Sequence, residues 1–368
     1  MSCHRFVILF FFVCCPCVAR ADATEDTSIA ATLGEKLFND KSLSADRTIA
    51  CATCHVREHA FANNETVGKG VGRRAGTRNV PSLLDVKHQR TLFWDGRAPN
   101  LEAQASAPLM NPVEHGLPDA GAALNVVRAN AMYVRAFLDI YHLKSADEIS
   151  LAHVAAALAA FERTLVSAPT SFDRFFHDGN SAALSVTARR GFEFFRGRGR
   201  CTTCHTIDGD RALFSDMQYH SSARMLPKTV NDRLSELTRE VIDMKRKSDG
   251  ALLEAAIATR AEIAALGRFL VTLDPGDIGR FKTPSLRHAT STAPYMHDGS
   301  VATLEEAVGL ELYNRGAALN YPIVVTAEEK QDLLAFLRSL GDAPHFPVDR
   351  RSSHTNTSPP SPPTGIEP

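Results

Sequence analysis

The chain has 368 residues, of which 44% are hydrophobic and 23% are charged, and its formal net charge is −1. These values are typical of a globular protein, and the length is sufficient for two domains of ordinary size. There is no basic stripe of the kind that would suggest binding to nucleic acid.

The first 21 residues form a predicted secretory signal. Arg5 precedes an apolar run over residues 6–18, and residues 19–21 read Ala-Arg-Ala before Asp22, as at a signal cleavage site. The run is too short to span a membrane, so we expect an exported protein with no membrane span in its mature chain; a retained N-terminal anchor is the alternative. Removal of the signal takes away two arginines and no acid, so the formal charge changes from −1 to −3.

Residues 22–167 are predicted to form one helical domain with a long central loop. Apolar positions in residues 29–38 fall at helical spacing, and the alanine-rich segments 122–138 and 149–165 are also periodic, so each predicts a helix. Residues 63–79 contain four glycines and predict a loop.

The stretch 93–116 contains Trp94, the only tryptophan of the chain. Its three prolines, one of them Pro108, permit only a short helix over residues 101–107, with Asn100 as the N-cap. The remainder is predicted loop. Such a loop can present the amide of Gln104 and the carboxylate of Glu114 to a cofactor, although Glu114 alone would be an ordinary surface carboxylate.

Residues 168–341 repeat this plan. A helix is predicted over residues 185–195, residues 230–273 read as one or two amphipathic helices interrupted near Gly250, and further helices are predicted from Thr303 and over 328–340. Residues 280–300 are predicted loop. Pro, Ser and Thr dominate from Asp342 onward, so residues 342–368 are a predicted disordered tail. Strand signals are scarce, and the predicted fold class is mainly α.

The cysteines of the mature chain all belong to two C-x-x-C-H motifs, because four of the eight leave with the signal. In an oxidising compartment such pairs could form two disulfides or a four-sulfur metal site. A histidine after both pairs, with no other cysteine present, instead indicates two covalently bound c-type haems. The residues of the two motifs are Cys51, Cys54 and His55, and Cys201, Cys204 and His205.

The histidine of such a motif is the near-obligatory proximal ligand of the iron, so His55 and His205 are predicted haem-iron ligands. The sixth position of each iron decides what the haem does. A strong second ligand favours electron transfer. An open position beside an acid and an amide favours reaction with peroxide, because cleavage of the oxygen–oxygen bond needs a group that moves a proton between the two oxygens.

Over nearly all of the mature chain, the motifs resemble the bacterial di-haem cytochrome c peroxidase and MauG family. The resemblance lies in both C-x-x-C-H motifs, F-W-D-G-R-A from Phe93, A-F-E-R-T-L from Ala160, F-K-T-P-S-L-R from Phe281 and P-Y-M-H-D-G from Pro294. It implies two cytochrome c-like helical domains, residues 22–167 with a peroxide-reactive haem and residues 168–341 with an electron-transfer haem, whose haems face a common interface.

The resemblance also implies roles for single residues. Trp94 would relay electrons between the haems, although a plain core aromatic is the alternative. Gln104 and Glu114 would line the peroxide pocket over the first haem, and Pro108 would pack near the open face of that haem. A bridging calcium ion is implied as well. Its expected ligands are Asn79 and main-chain oxygens of Thr292 and Pro294.

One departure from the family pattern concerns the first haem. Many family peroxidases have a histidine in the glycine loop, which caps this haem until the second haem is reduced. Here the same place reads Gly70-Val71-Gly72, and valine cannot bind iron. The first haem is therefore expected to be open in the resting protein.

The second departure concerns the second haem. Peroxidases of that type supply a methionine from the helix after H-D-G, whereas here this helix offers Tyr313, and MauG-like members have a tyrosine in this region. We therefore predict Tyr313 as a ligand of the second iron. A direct count from Pro294 falls on Glu311 instead, so the choice of Tyr313 assumes a two-residue insertion. Met296 is the chief competing ligand, and a half-buried helix tyrosine is the plain alternative.

The resulting hypothesis is a periplasmic di-haem enzyme of the MauG-like branch. It would use hydrogen peroxide to reach a high-valent two-haem state and then oxidise a protein donor. In MauG-like enzymes, and in the related tryptophan-oxidising enzymes of methanobactin operons, that donor is typically a tryptophan side chain of a partner. One alternative is a cytochrome c peroxidase that reduces peroxide with electrons from a small cytochrome c or cupredoxin. The other is a di-haem electron carrier.

Overall fold

The computed structural model describes residues 21–209, 212–221, 226–247, 250–318 and 322–342, except for the side chains of residues 21–27 and 318. The predicted signal, residues 1–21, lies outside this part of the chain apart from Ala21. The predicted tail, residues 342–368, lies outside it apart from Asp342. No helix in the described ranges is both long enough and apolar enough to cross a membrane.

The described part of the chain is mainly helical, as predicted. The helices of the first half are α1 (Ala21–Phe38), α2 (Cys51–Cys54), α3 (Leu101–Met110), α4 (Ala120–Ala129), α5 (Ala131–Tyr141) and α6 (Leu151–Glu162). Those of the second half are α7 (Ser171–Phe176), α8 (Val186–Arg196), α9 (Lys228–Asp232), α10 (Leu234–Arg246), α11 (Gly250–Thr259), α12 (Ala261–Ala264), α13 (Phe269–Thr272), α14 (Leu304–Ala318) and α15 (Ala327–Arg338). Two short strands, β1 (Tyr219–Ser221) and β2 (Arg280–Lys282), pair antiparallel.

Each half has an apolar core built on a pair of closely packed helices. In the first half α6 packs against α1 and α3, and Phe38 and Leu158 are buried between them. In the second half α8 packs against α15, and the core is largely aromatic, with Phe172 meeting the edges of Phe214 and Phe336. Edge-to-face contacts of this kind are favourable beyond the area that they bury.

A glycine allows the close approach of the two helices in each half. A Cβ atom on Gly34 of α1 would lie 1.9 Å from the carbonyl oxygen of Ala157 in α6, and one on Gly191 of α8 would lie 1.9 Å from that of Asp332 in α15. No side chain fits in such a gap. A glycine at the helix–helix contact of each half indicates that the two halves have similar architectures.

Helices α9 to α13 form a third apolar cluster, which reaches over the first half. The Arg268 guanidinium donates to the carbonyl oxygens of Asp95 and Gly96 at 2.9 and 3.1 Å, and the Thr77 hydroxyl donates to the carbonyl oxygen of Ile257 at 2.6 Å. The loop that carries Trp94 is therefore held from both halves of the chain.

The structure differs from the predicted helices in three places. Helix α3 runs past residue 107 through Pro108, which lies in its last turn, and Asn100 caps it as expected. The predicted helix 122–138 is broken at Asn130, whose side chain accepts hydrogen bonds from the N–H groups of Met132 and Tyr133 and so starts α5. Residues 230–273 contain several short helices rather than one or two.

Candidate functional site

Both C-x-x-C-H motifs open onto a single cavity of about 510 Å³. This volume lies in the range of ligand and cofactor sites. The first motif forms helix α2, and the second forms a 3₁₀ turn over Cys201–Thr203. Residues from both halves line the cavity, so the two motifs share an interface, as the sequence predicted.

The two motif histidines are held by the same kind of hydrogen bond. His55 Nδ1 lies 2.8 Å from the carbonyl oxygen of Phe61, and His205 Nδ1 lies 2.7 Å from that of Phe214. Because a carbonyl only accepts, each Nδ1 carries the proton and each Nε2 keeps its lone pair for a metal. Burial is the main cause that lowers the pKa of both rings, that of His205 to about 4. Both rings are therefore neutral and oriented by the chain.

The four motif cysteines line this cavity and are not paired with one another as disulfides. Burial raises the pKa of Cys54 to about 11 and that of Cys201 to about 12. Among the described residues, the one group that could hold a metal through His, Cys, Asp or Glu is Cys204, Asp216 and His220, which is not a four-sulfur site.

Trp94 lines the cavity, where it is fixed by main-chain contacts to both halves. Its indole Nε1 donates to the carbonyl oxygen of Asn79 at 2.9 Å, and its own carbonyl oxygen accepts from the N–H of Lys282 at 2.9 Å. Trp94 thus lies at the junction of the two halves, where a relay between two haems would be needed.

Gln104, Pro108 and Glu114 line the same cavity, so the structure brings the three residues of the predicted peroxide pocket together. The Glu114 carboxylate accepts a hydrogen bond of 2.7 Å from Asn111 Nδ2. Burial raises the pKa of Glu114, and the nearby charge of Arg97 opposes this shift. The Gln104 Oε1 atom is buried and has no hydrogen-bond partner among the described residues. A carboxylate and an amide are both available to a small ligand here.

Val71 is buried but lies outside the lining of the cavity. Its Cγ2 atom would be 2.8 Å from a Cβ on Gly116, so the side chain packs against the backbone of the loop that follows Glu114. The Val71 N–H donates to the Glu114 carbonyl oxygen at 2.9 Å. This glycine loop therefore packs against the Glu114 loop on the side away from the cavity. Its residue at position 71 offers no side chain that could cap the first haem.

The predicted calcium ligands Asn79, Thr292 and Pro294 all lie in the cavity wall. The Asn79 amide donates to the carbonyl oxygens of Glu65 and Thr66 at 3.2 and 3.3 Å, and its main-chain N–H donates to the carbonyl oxygen of His297. Asn79 therefore joins the two halves through hydrogen bonds, and calcium binding stays a prediction.

The structure does not bring Tyr313 to the cavity, and its role as an iron ligand stays a prediction. Its side chain is 74% exposed and is absent from the lining. Helix α14 is continuous over Leu304–Ala318. Glu311, the residue given by the direct count, lines the cavity instead, and so does Met296.

Sequence reasoning missed several charged residues of the lining, among them Arg78, Glu162 and Lys282. Arg78 donates to the carbonyl oxygen of Ala264 at 2.6 Å, yet its Nε and Nη1 atoms have no hydrogen-bond partner among the described residues. Burial raises the pKa of Glu162 to about 8 and lowers that of Lys282 to about 8. Glu162 and Lys282 lie inside the quoted motifs A-F-E-R-T-L and F-K-T-P-S-L-R, whose charged positions could have signalled them.

The lining fits haem groups. A haem has an apolar macrocycle and two carboxylate tails, and the cavity combines many apolar side chains with two motif histidines and with buried cations at Arg78 and Lys282. The unpaired guanidinium atoms of Arg78 would otherwise carry a desolvation cost. A cofactor carboxylate would satisfy them.

Comparisons with known proteins agree with this description. A family model described as di-haem cytochrome c peroxidase matches residues 28–181. Cytochrome-c peroxidase IdrP1 of Denitromonas iodatirespirans is 31% identical over 342 residues, which cover 88% of this chain and 86% of that protein. The methylamine utilization protein MauG of Methylorubrum extorquens is 31% identical over 334 residues, which cover 89% of this chain and 82% of that protein.

A solved structure extends the likeness to three dimensions. The crystal structure of a MauG-like protein associated with microbial copper homeostasis is similar with a TM-score of 0.70 and 28% identity, covering 88% of this chain and 92% of that chain. The fold, the two C-x-x-C-H motifs and the similar proteins all indicate the same family. The chain belongs to the di-haem cytochrome c peroxidase and MauG family of peroxide-dependent oxidoreductases.

Proposed function

We propose that this protein is a periplasmic MauG-like enzyme that uses hydrogen peroxide to oxidise a protein donor. The main support is the position of Val71, whose side chain packs behind the Glu114 loop and leaves the cavity over the first motif without a capping ligand from this loop. Peroxide could then bind in the fully oxidised protein. The predicted signal in residues 1–21 supports export.

Two haem c groups, bound through thioethers at Cys51, Cys54, Cys201 and Cys204, would supply the iron that accepts oxidising equivalents from peroxide. The chain holds the ligand nitrogens in place through the hydrogen bonds of His55 to Phe61 and His205 to Phe214. Fixing Nδ1–H in this way directs Nε2 toward the cavity before the cofactor binds. Calcium is part of the proposal, and Asn79 with main-chain oxygens of Thr292 and Pro294 would hold it.

The pocket residues act on the protons of peroxide. The buried Glu114 carboxylate would take the proton from one peroxide oxygen and return it to the other, which then leaves as water. Its raised pKa brings its proton affinity closer to what such a shuttle needs. Gln104 would hold the peroxide by its amide, and Pro108 would limit the space for other ligands.

The electrons must come from outside the pocket. Reduction of one peroxide to two waters consumes two electrons and two protons, so a donor must lose two electrons for each turnover. Trp94, held by both halves, is suited to pass electrons between the two sites. In the MauG-like proposal the donor is a side chain of a partner protein, with tryptophan as the favoured kind.

The main alternative is a cytochrome c peroxidase that takes these electrons from a small cytochrome c or cupredoxin. Met296 in the cavity wall favours it, because a methionine ligand on the second iron would raise its reduction potential and suit it to accept electrons from such donors. The electron-carrier alternative lacks support, since the chain belongs to an enzyme family and has an acid and an amide at an accessible pocket.

The test is rapid mixing of the fully oxidised, haem-loaded protein with hydrogen peroxide. The proposal expects a spectral change without prior reduction, together with a high-spin ferric signal from the first haem in the resting protein. Two low-spin haems and reaction only after one-electron reduction would contradict it. Multiple turnover with reduced cytochrome c or a reduced cupredoxin as the donor would favour the cytochrome c peroxidase function over the MauG-like function.

A further inference from the structure

Helix α14 presents one face to the cavity. Six residues of this helix line the cavity, and they recur at intervals of three or four positions along a helix of about 3.6 residues per turn. Tyr313 is two residues from Glu311, which is about 200° around the helix axis, and it is exposed on the far side. The lining residues of this face are Leu304, Ala307, Val308, Glu311, Leu312 and Arg315.

The neighbours of this face place it at the second motif. Arg315 Nη2 lies 3.6 Å from the Cys204 sulfur. Glu311 stands one turn earlier on the same face. Its charge contributes to the raised pKa of Cys201, after burial and against the opposing charge of Arg315. Glu311 therefore faces the part of the cavity where the haem of the second motif would be bound.

The Glu311 carboxylate has no hydrogen bond or ion pair with any residue in the described part of the chain. Glu311 lies in the cavity wall and keeps an exposed side chain. Partial burial of its carboxyl raises its pKa, and the charges of Arg315 and His220 oppose the shift. The Arg315 guanidinium contacts Cys204 rather than Glu311. A carboxylate that is partly desolvated in a cofactor site needs a cationic or hydrogen-bonding partner.

Three other side chains with metal-binding atoms lie in the cavity wall, namely His220, Met296 and His297. His220 Nε2 is 2.7 Å from an oxygen of Asp216. The His297 ring stacks on Phe281 with a centroid distance of 3.7 Å. Met296 lines the cavity from a turn in which its φ angle is 72°, and it is the competing ligand.

We propose that a Glu311 carboxylate oxygen is the sixth ligand of the iron held by His205. This proposal rests on the proposed function only in taking the second motif to carry a haem. A lone pair of the carboxylate would be donated to ferric iron, and no electron is transferred in forming the bond. An anionic oxygen ligand stabilises ferric iron and lowers its reduction potential, whereas a methionine sulfur raises it. The second site would then keep an anionic oxygen ligand without using Tyr313.

The central comparison uses four variants of the haem-loaded protein, and Glu311→Ala and Met296→Leu are added for the rescue and for the competing ligand. Glu311→Gln keeps the shape but removes the charge, and Glu311→Met supplies a thioether at the same position. Tyr313→Phe and Glu306→Gln are matched controls on the exposed side of the same helix. The measurements are haem content, the reduction potential of each haem, and near-infrared magnetic circular dichroism, which reports the ligand pair of ferric haem.

We expect two haems per chain in all four variants. The reduction potential of one haem should rise in both Glu311 variants, and Glu311→Met should gain the near-infrared band of methionine ligation. Neither control should change the potentials or the ligand-pair signal. In Glu311→Ala, which leaves a gap, added acetate should restore the low potential, and this rescue does not depend on peroxide activity.

Several outcomes would overturn the proposal. A methionine band in the unaltered protein that is lost in Met296→Leu would assign Met296. Changed potentials in Tyr313→Phe, with no change in Glu311→Gln, would assign Tyr313. If the Glu311 variants load two haems with unaltered spectra, the carboxylate is not a ligand. A protein that shows the expected Glu311 effects but does not react with peroxide would refute the proposed function alone.

Discussion

Replacement of Glu114 by Gln tests the chemistry of the peroxide pocket with little change in shape. The Gln side chain keeps an oxygen that can accept the 2.7 Å hydrogen bond from Asn111 Nδ2, so the loop should stay in place. What is lost is the ability to take and return a proton. Loss of a positioned acid–base group typically costs about 10²- to 10⁴-fold in rate, which is about 3–5 kcal/mol of transition-state stabilisation.

The structure limits the size of this effect. Gln104 remains in the pocket and can still hold peroxide, so the residual rate should stay above that of a protein without the pocket. Burial raises the pKa of Glu114 and increases its proton affinity, which makes the carboxylate a better acceptor than a solvent-exposed glutamate. We therefore expect a loss within that range and no change in haem content.

The pH dependence gives a second signature. A proton acceptor works only when it is deprotonated, so peroxide activation should decline as the pH falls through the pKa of Glu114. Because that pKa is raised by burial, the decline should lie above the ordinary range for glutamate, and it should be absent in Glu114→Gln.

Stopped-flow mixing of oxidised protein with peroxide, at a series of pH values, measures both the rate and the acid limb. Glu58→Gln is the matched control, because Glu58 is exposed in the same half of the chain. An unchanged rate in Glu114→Gln, or an unchanged acid limb, would remove Glu114 from the mechanism.

Three further predictions concern the support of the site. Burial raises the pKa of Glu162 to about 8, so the folded protein binds this proton more tightly than the unfolded chain, and its stability should fall as the pH rises toward 8. Glu162→Gln should remove this pH dependence of the melting temperature. An unchanged dependence in the variant would contradict the prediction. Asp173→Asn removes the buried anion that pairs with the Arg287 guanidinium, a residue that is only 4% exposed. The variant should lose about 3–5 kcal/mol of unfolding free energy in denaturant titrations. A loss below about 1 kcal/mol would refute this. Gly70→Ala would place a Cβ atom 1.9 Å from a main-chain oxygen beside Glu114, so it should slow peroxide activation without loss of haem. Gly76→Ala is the control, because its Cβ atom would have its nearest contact at 3.5 Å, and it should leave the rate of peroxide activation unchanged.

The sequence was enough to predict the parts of the fold that depend on local patterns. The two C-x-x-C-H motifs, with no other mature cysteine, predicted a pair of similar halves, and the structure places both motifs in one cavity. Asn100 was predicted as an N-cap, and its side chain accepts from the N–H of Ala103. Local hydrogen bonding of this kind depends on residues within one turn, so it can be read from the sequence.

Other features depend on contacts between distant segments. Asn130 breaks a periodic alanine-rich stretch because its side chain competes for the N–H groups of the next helix, and periodicity alone does not show this. Arg78 lies in a glycine-rich loop, yet its guanidinium contacts Ala264 and the Phe281 ring, both of the second half. Such a buried cation could not be located before the halves were placed together.

The choice between Tyr313 and Glu311 depends on helix geometry as well as on residue type. The resemblance favoured the tyrosine because that residue type occurs in MauG-like members, and an insertion was assumed to align it. Helical geometry alone argues otherwise, because Glu311 and Arg315 share a face with Leu304 and Val308, whereas Tyr313 does not. The face of a continuous helix is set by its periodicity, and this constraint is stronger than the identity of one residue.

The charges around the peroxide pocket connect it to the second half of the chain. Arg97 lies between Asp95 and Glu254, with donor distances of 3.1 Å to Asp95 and 3.0 Å to Glu254 of α11. The charge of Arg97 lowers the pKa of Glu114 and that of Glu254 raises it, both against a larger effect of burial. A movement of α11 that separated Arg97 from Glu254 would therefore alter the proton affinity of the pocket acid. The cluster α9–α13, which holds the Trp94 loop by hydrogen bonds, is thus also positioned to change the pKa of Glu114, the acid that we propose acts on peroxide.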